Sequence, residues 1–428
     1  MILELRSRLR EILVAGLLVT IAVVLFLFQP LPEPSELQYC GTPTHVWGPL
    51  NVFVNCDSGE FLLLAKHPSL LLTPAHRTRQ NRPLYAALGW TLAWPLRALG
   101  VESIGRRVLG AEPVGRTGRL YGDYLPEYGA FLLLNWVLLV ASVVLFTRLL
   151  DAESPFAFRA LLPLAVLLVN EVTKAFFWTP HFQIFNVFIP VASIALFRWQ
   201  LSPSRIVTWR EAARIGLLLG VGNLAYSAFA VTAGGAALCL VIGERKLTKA
   251  ILLLALFLLP LAAWIAFVTA RTGAFYSEEI ARFRQFVWLA DAAFRGIGPF
   301  GTAVSENLST YLTMLVAVVV GPALMLGVVV AAARIAGGRS RPDVRERATA
   351  RAIGVYLLVD VLFFAFMGFY RTRLAWTIVP ALLLILGREI GRLELAVPAR
   401  AGLAVKIGIV GIALGYSAYW IARAGPYY

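Results

Sequence analysis

The sequence predicts an all-α membrane protein, a polytopic bundle of about 11 transmembrane helices in a single domain over 1–428. Three observations carry that reading. Of 428 residues, 59% are hydrophobic and 15% are charged, against roughly 25% charged in soluble domains, and a soluble interior cannot hide that much apolar surface. The apolar residues also come in runs long enough to cross a hydrocarbon core. Between the runs, basic residues fall in short clusters, as the positive-inside rule expects of cytoplasmic loops. The formal net charge of +15 raises nucleic acid as a partner, but there is no basic groove-reading element or RNA module, so none is expected. Hydrophobicity rules out disorder. No polar stretch is long enough for a large soluble catalytic domain.

The first apolar run, 12–28, follows Arg6, Arg8 and Arg10. It is long for a signal h-region, and Gln29-Pro30-Leu31-Pro32-Glu33-Pro34 stands where a small-x-small cleavage site would be. It is therefore read as an uncleaved first helix with a cytoplasmic N-terminus. Further spans are expected at 128–147, 160–178, 182–198, 250–270, 309–333, 352–369, 374–387 and 401–422. The run 214–243 is too long for one helix. Its Gly220, Gly222, Asn223, Gly234 and Gly235 suit a hairpin of two short helices. Two helices there also keep the basic 339–351 cluster on the cytoplasmic side. Segments 1–11, 148–159, 198–214, 244–249, 334–351 and 388–400 then carry 21 basic residues on that face.

On the other face lie a first external loop, 29–127, and a second, 271–308, with short tips near 174–182 and 370–374. The stretch 83–99 holds Trp90, Trp94 and Pro95 and is expected to lie in the interface, where Trp favours headgroup depth. If it spans instead, every later side flips. The stretch 58–72 is a second interfacial candidate. Cys40 and Cys56 are close enough to close a small loop, and an oxidising exterior permits a disulfide; two free thiols are the alternative. Cys239 sits in a span and reads as packing.

Several residues on the external face can carry chemistry. Asp57 and Glu60, in Asn55-Cys56-Asp57-Ser58-Gly59-Glu60, lie three apart and share one side of a helix start. A carboxylate there can take a proton from an attacking hydroxyl; the pair can equally form a capping box that only starts a helix. In His76-Arg77-Thr78-Arg79-Gln80-Asn81-Arg82-Pro83, a His and three Arg form a cluster suited to gripping a lipid phosphate; a generic headgroup contact or a solvated loop is the alternative. Arg371 and Arg373 occupy a short tip, where they reach a phosphate or pair with Asp360 or with carboxylates of the second loop. That loop, with Glu278, Arg282 and Arg284 among aromatics, reads as a lid, a substrate-lining helix or a re-entrant structural helix. Glu171, His181, Gln183 and Asn186 lie at outer ends of spans, where polar groups often line a cavity; Glu171 can instead pair with Lys174. His181 lacks a second His or Cys at ligand spacing, so no metal site is expected. Gly220-Val221-Gly222-Asn223-Leu224-Ala225 matches a dinucleotide fingerprint by letter only, without the preceding strand.

This layout resembles the GT-C class of membrane glycosyltransferases, in which a first helix is followed by a long external loop with an acidic residue, interfacial helices and many further spans. The acidic position of that class matches Asp57 in Cys56-Asp57-Ser58-Gly59-Glu60. Basic residues that hold its donor phosphate correspond to Arg77, Arg79, Arg82, Arg371 and Arg373, with His76 beside them. The chain lacks an Asp-x-Asp and a large soluble C-terminal domain. The resemblance implies a GT-C-like bundle that moves a sugar, with inversion, from a polyprenyl-phosphate donor to a lipid, glycan or protein acceptor. Asp57 would be the base, aided by Glu60, and no cofactor is expected. Arg at 34 residues against Lys at 5, with abundant Ala, points to a bacterial chain, hence to the inner membrane with the active site on the periplasmic side. Two other functions fit similar arginines. One is a transporter or flippase for lipids or lipid-linked glycans. The other is a ligase or polymerase using a polyprenyl-diphosphate donor.

Overall fold

Within a hydrocarbon core no water satisfies backbone N–H and C=O groups, so each apolar run must close its own hydrogen bonds, and it does so as helix. The computed structural model describes residues 2–30, 41–55, 57–73, 79–110, 122–336, 343–423 and 425. Cys40, Cys56, His76 and Arg77 lie outside the described residues, and with them the expected disulfide and part of the basic cluster.

Helix α1 (Ile2–Leu25) runs into a 3-10 turn at Phe26–Phe28. A two-stranded antiparallel hairpin follows, β1 (Gly41–Trp47) and β2 (Leu50–Asn55). It turns at Gly48, whose φ of +53° lies in the left-handed region that glycine enters without penalty. Asn51 Nδ2 donates to Gln29 O at 2.9 Å and ties the hairpin to the end of α1. The sequence reading contains no strand, so this hairpin is an addition to the all-α expectation. Next come α2 (Asp57–Lys66), α3 (Pro83–Ala98) and α4 (Val101–Leu109). Helix α3 corresponds to the expected interfacial stretch. It packs on α2 and leaves Trp90 and Trp94 exposed.

The remaining helices are α5 (Leu125–Leu149), α6 (Phe158–Leu168), α7 (Glu171–Phe176), α8 (Phe185–Gln200), α9 (Trp209–Asn223), α10 (Phe229–Glu244) and α11 (Leu247–Thr272). Then follow α12 (Glu278–Ala281), α13 (Val287–Phe294), α14 (Ile297–Ile335), α15 (Val344–Met367), α16 (Thr372–Ala375), α17 (Val379–Ala396) and α18 (Ala399–Ala422). Among the described residues, eight helical segments are long and apolar enough to cross a membrane, and α6 and α10 are shorter apolar helices. The fold is thus helical and membrane-embedded.

The expected 11 spans are corrected at 160–178, which is not one helix. Asn170 breaks it: its side chain accepts the N–H groups of Val172 and Thr173 and so caps a new helix, α7. The hairpin expected in 214–243 is present as α9 and α10. Helix α14 begins at Ile297 rather than near 309, so the second loop holds only α12, α13 and their connections.

Burial grades outward. The segments containing α17 and α8 are 72% and 67% buried, whereas those of α14 and α18 are each 11% buried. Leu324, Val328, Leu403 and Leu414 accordingly face outward, as lipid-facing residues do. One hydrophobic cluster runs from Ala15 through α5, α8 and α10 to Ile409, joining both halves of the chain.

Candidate functional site

At one end of the bundle α8, α10 and the α16–α17 segment begin, and α9, α11 and α15 finish. The helix ends and loops gathered there line a cavity of about 200 Å³. Its wall carries Asp57 from the first turn of α2, Arg79 and Arg82 from the loop before α3, and His181 and Gln183 from the entry to α8. Glu278, Glu279 and Arg282 come from the α12 segment and Arg373 from α16. Phe363, Phe364 and Met367, at the end of α15, supply an apolar side.

Arg79 is the hub. Its Nη2 lies 2.9 Å from Asp57 Oδ1, its Nε 2.7 Å from Glu60 Oε2 and its Nη1 3.7 Å from Glu278 Oε2. One guanidinium thus bridges α2 and α12, using the planar fork that suits it to several oxygens at once. The guanidinium also rides over the Phe61 ring at 5.1 Å. Asp57 and Glu60 are therefore not a capping box: both carboxylates leave the helix for Arg79, and the Asp57 N–H is taken by Asn55 Oδ1 at 2.9 Å.

Arg82 makes the parallel contact. Its Nη2 meets Glu279 Oε1 at 2.5 Å, and its guanidinium lies 3.5 Å above the Phe182 ring. Asn81 Nδ2 donates to the other Glu279 oxygen. Burial raises the Glu279 pKa, but Arg82 and Asn81 outweigh it and hold the carboxyl below its usual value. The loop that carries both arginines is pinned by Gln80. Its backbone carbonyl accepts from Trp264 Nε1 at 2.6 Å, its Nε2 donates to Leu71 O at 2.9 Å, and its Oε1 accepts the Tyr276 N–H at 3.2 Å.

His181 stands behind Asp57, with Nε2 3.4 Å from Oδ2 and only 2% of its side chain exposed. Phe61, Phe176 and Phe182 surround the ring at centroid distances of 5.9, 5.0 and 4.2 Å. Burial among them pushes the imidazole pKa down to about 4, against the pull of Asp57. The ring is therefore neutral at pH 7. For Asp57, burial acts to raise the pKa, and the His181 contact with the Arg79 and Arg373 guanidiniums overcomes it, holding the carboxyl well below the usual range. The Asp57 side chain stays 42% exposed, on the cavity side.

Asn186 lies under this wall. It accepts the Tyr226 hydroxyl at 2.7 Å and donates to Arg373 O at 2.8 Å and Gln183 Oε1 at 2.5 Å, which fixes the backbone that presents Arg373. The Arg373 guanidinium lies 5.7 Å from the Phe176 ring.

Asp57, Glu60, Arg79, Arg82, Arg373, His181, Gln183, Glu278 and Arg282 are thus brought together as expected candidates. Others are not. Glu171 and Arg371 do not line this cavity, and Lys174 donates to Trp420 O at 2.8 Å. Arg284 pairs with Asp291. Asp360 meets the Tyr356 hydroxyl at 2.9 Å and that of Thr377 at 3.3 Å, deep in the bundle. Sequence reasoning missed Glu279, Asn81 and Tyr226. The doublet Glu278-Glu279 was the available signal, since two adjacent acids can match Arg79 and Arg82, but nothing local tied the two loops. Among the described residues no group of three or more His, Cys, Asp or Glu could hold a metal ion.

Comparison with protein-family models finds none that matches this chain, and comparison with curated proteins finds no match either. Fold and site together define a helical membrane protein with a charged, partly apolar cavity at one end of its bundle.

Proposed function

We propose that this protein is a GT-C-type membrane glycosyltransferase. It takes a sugar from a polyprenyl-phosphate donor and passes it, with inversion, to a hydroxyl of a lipid, glycan or protein acceptor on the periplasmic face of the inner membrane. The observation that carries this reading is that Asp57 opens into the same cavity as Arg79, Arg82 and Arg373, beside the apolar side formed by Phe363, Phe364 and Met367. A carboxylate, a set of guanidiniums and an apolar wall match the three parts of the reaction: acceptor hydroxyl, departing phosphate and isoprenoid tail.

In the reaction the acceptor oxygen attacks the anomeric carbon from the face opposite the phosphate. The bond between that carbon and the phosphate oxygen breaks, and the electron pair leaves with the phosphate. The acceptor proton passes to Asp57. Arg82 and Arg373 take up the charge that gathers on the leaving oxygens. His181, buried and neutral, donates Nε2–H toward Asp57 and keeps the carboxylate pointed at the cavity. A carboxylate held at low pKa is a weak base toward a free alcohol. The hydroxyl becomes acidic as its bond to carbon forms, so the proton moves late.

The test is sugar transfer from a panel of polyprenyl-phosphate sugars by membranes carrying the wild type or Asp57→Asn. Loss of the base is expected to lower the rate by roughly 10²- to 10⁴-fold with normal protein levels. Full transfer by the variant removes Asp57 from the mechanism.

A further inference from the structure

Three guanidiniums at the cavity, those of Arg79, Arg82 and Arg282, pair with four carboxylates, those of Asp57, Glu60, Glu278 and Glu279. An entering phosphate therefore meets arginines already engaged. Two of the carboxylates differ from the rest. Asp57 and Glu60 belong to α2, which is packed into the fold, with Phe61, Leu64 and Ala65 fully buried. Glu278 and Glu279 sit on the one-turn helix α12, which has no buried residue of its own.

We propose that Glu278 and Glu279 form an acid latch. They occupy the faces of Arg79 and Arg82 that an anionic lipid phosphate needs, and the α12 segment swings aside when that phosphate binds. This deepens the proposed function and rests on its reading of the cavity as a phosphate site.

The geometry supports displacement over permanent bracing in three ways. First, the latch contacts mimic a ligand: adjacent acids at 278 and 279 reach arginines three apart, Glu278 at 3.7 Å and Glu279 at 2.5 Å. Second, Arg82 is 9% exposed, and its Nη1 is buried without a hydrogen-bond partner among the described residues. A buried guanidinium nitrogen left so is costly, and a phosphate with three acceptor oxygens satisfies it where one carboxylate does not. Third, the segment ends in a strained joint. Arg284 and Phe286 have φ of +53° and +63°, the left-handed region that non-glycine residues occupy at a cost. Beyond the joint the chain is anchored to α15, where the Phe286 N–H meets Met367 O at 3.0 Å and Trp288 Nε1 meets Phe366 O at 2.9 Å. Motion between a clamped Tyr276 N–H and a clamped Phe286 N–H moves the two glutamates together with Arg282, which pairs with Glu278 at 2.9 Å, and Phe283, whose ring lies 4.5 Å from that of Phe369.

Release of the latch also acts on the base. As the phosphate draws Arg79 toward itself, Asp57 loses part of the positive charge that holds its pKa down, and it becomes a better proton acceptor only when donor is present.

The experiment measures binding of farnesyl phosphate, a short polyprenyl monophosphate, to the full-length protein in detergent. It compares the wild type with Glu278→Gln/Glu279→Gln. Removing the competing charges is expected to tighten binding by roughly five- to tenfold. Hydrogen exchange on the wild type supplies a reading free of mutation: the amides of 277–286 are expected to exchange faster when farnesyl phosphate is added. Equal or weaker binding by the double variant, or slower exchange of the segment, overturns the latch while leaving the phosphate site standing. Absence of binding by both proteins overturns the latch and the phosphate reading together.

Discussion

His181 shows how a single side chain sets the acid response of the site. Burial pushes its pKa down to about 4, below the unfolded value near 6.5. Between those values the unfolded chain binds a proton that the native chain refuses. Stability owed to the neutral ring is thus complete above the unfolded pKa and is lost as pH falls toward the folded one, by about 3 kcal/mol in all. Asp57 acts in the same direction but at lower pH, since a carboxyl with a lowered pKa loses its stabilising contribution as pH falls below its unfolded value of about 3.9. The prediction is that thermal stability of the wild type falls steeply between pH 6.5 and pH 4, and that His181→Asn flattens the curve by about one proton's worth of slope. Parallel curves for the two proteins would mean that the imidazole titrates normally. The residue itself was legible from sequence as a polar group at the outer end of a span. Its pairing with Asp57 was not, because Asp57 lies on α2 and His181 at the entry to α8, and only the tertiary fold closes the distance.

At the level of elements, helix α9 shows which part of a pattern local reasoning reads. The glycines near 220 suggested a break in a long apolar run, and two helices are indeed present there. The break, however, falls at Leu224–Ala228, between α9 and α10. Gly216 and Gly220 serve a different end, four apart on one face of α9. A Cβ on Gly216 would stand 2.4 Å from Leu253 O, and one on Gly220 2.4 Å from Phe257 O. Their absent side chains let α9 lie against the backbone of α11, the close approach that small residues give membrane helices. A carbonyl in a helix cannot move aside as a side chain can. Gly220→Ala is therefore predicted to destabilise the protein by about 1–3 kcal/mol, the usual cost of overpacking. Gly411→Ala on α18, where nothing lies within 4 Å, is the matched control and is expected to have no effect. Equal melting temperatures for the two variants would remove the α9–α11 contact from the account. The hairpin β1–β2 and the Asn170 break were out of reach for a related reason. The hairpin rests on backbone pairing and a left-handed turn at Gly48, and the break on an Asn170 side chain that bonds backbone N–H groups; hydrophobic periodicity registers neither.

Charge is the property that organises the molecule as a whole, and the structure changes how it is read. The sequence suggested two populations of basic residues, one fixing a cytoplasmic face and one left over to bind an anionic lipid. In the fold, both ends of the bundle carry ion pairs. Arg79, Arg82, Arg282 and Arg284 at the cavity end all meet Asp or Glu, as do Arg148, Arg198 and Lys249 at the other. An excess of arginine therefore does not by itself identify the substrate. Carboxylates and guanidiniums also share a cavity at the other end, among them Asp151, Glu346, Arg388 and Arg392; what distinguishes the Asp57 cavity is the buried neutral histidine and the apolar wall of Phe363, Phe364 and Met367. The orientation expected from sequence rests on basic loops such as Arg245-Lys246 between α10 and α11, which the positive-inside rule assigns to the cytoplasm. On that orientation the cavity end is expected to face the periplasm. In a background with Cys40, Cys56 and Cys239 replaced by serine, Ala274→Cys just past α11 and Arg245→Cys just before it mark the two ends of one helix, and both positions are exposed. A membrane-impermeant maleimide is predicted to label Ala274→Cys in spheroplasts and Arg245→Cys only after lysis. The reverse pattern would place the cavity on the cytoplasmic side, where a donor made from soluble nucleotide sugars would have no need of a lipid carrier. Labelling of both positions in intact spheroplasts would show that α11 does not cross. Because α11 leads directly into the latch segment, this one helix reports on which side the proposed lipid phosphate would enter.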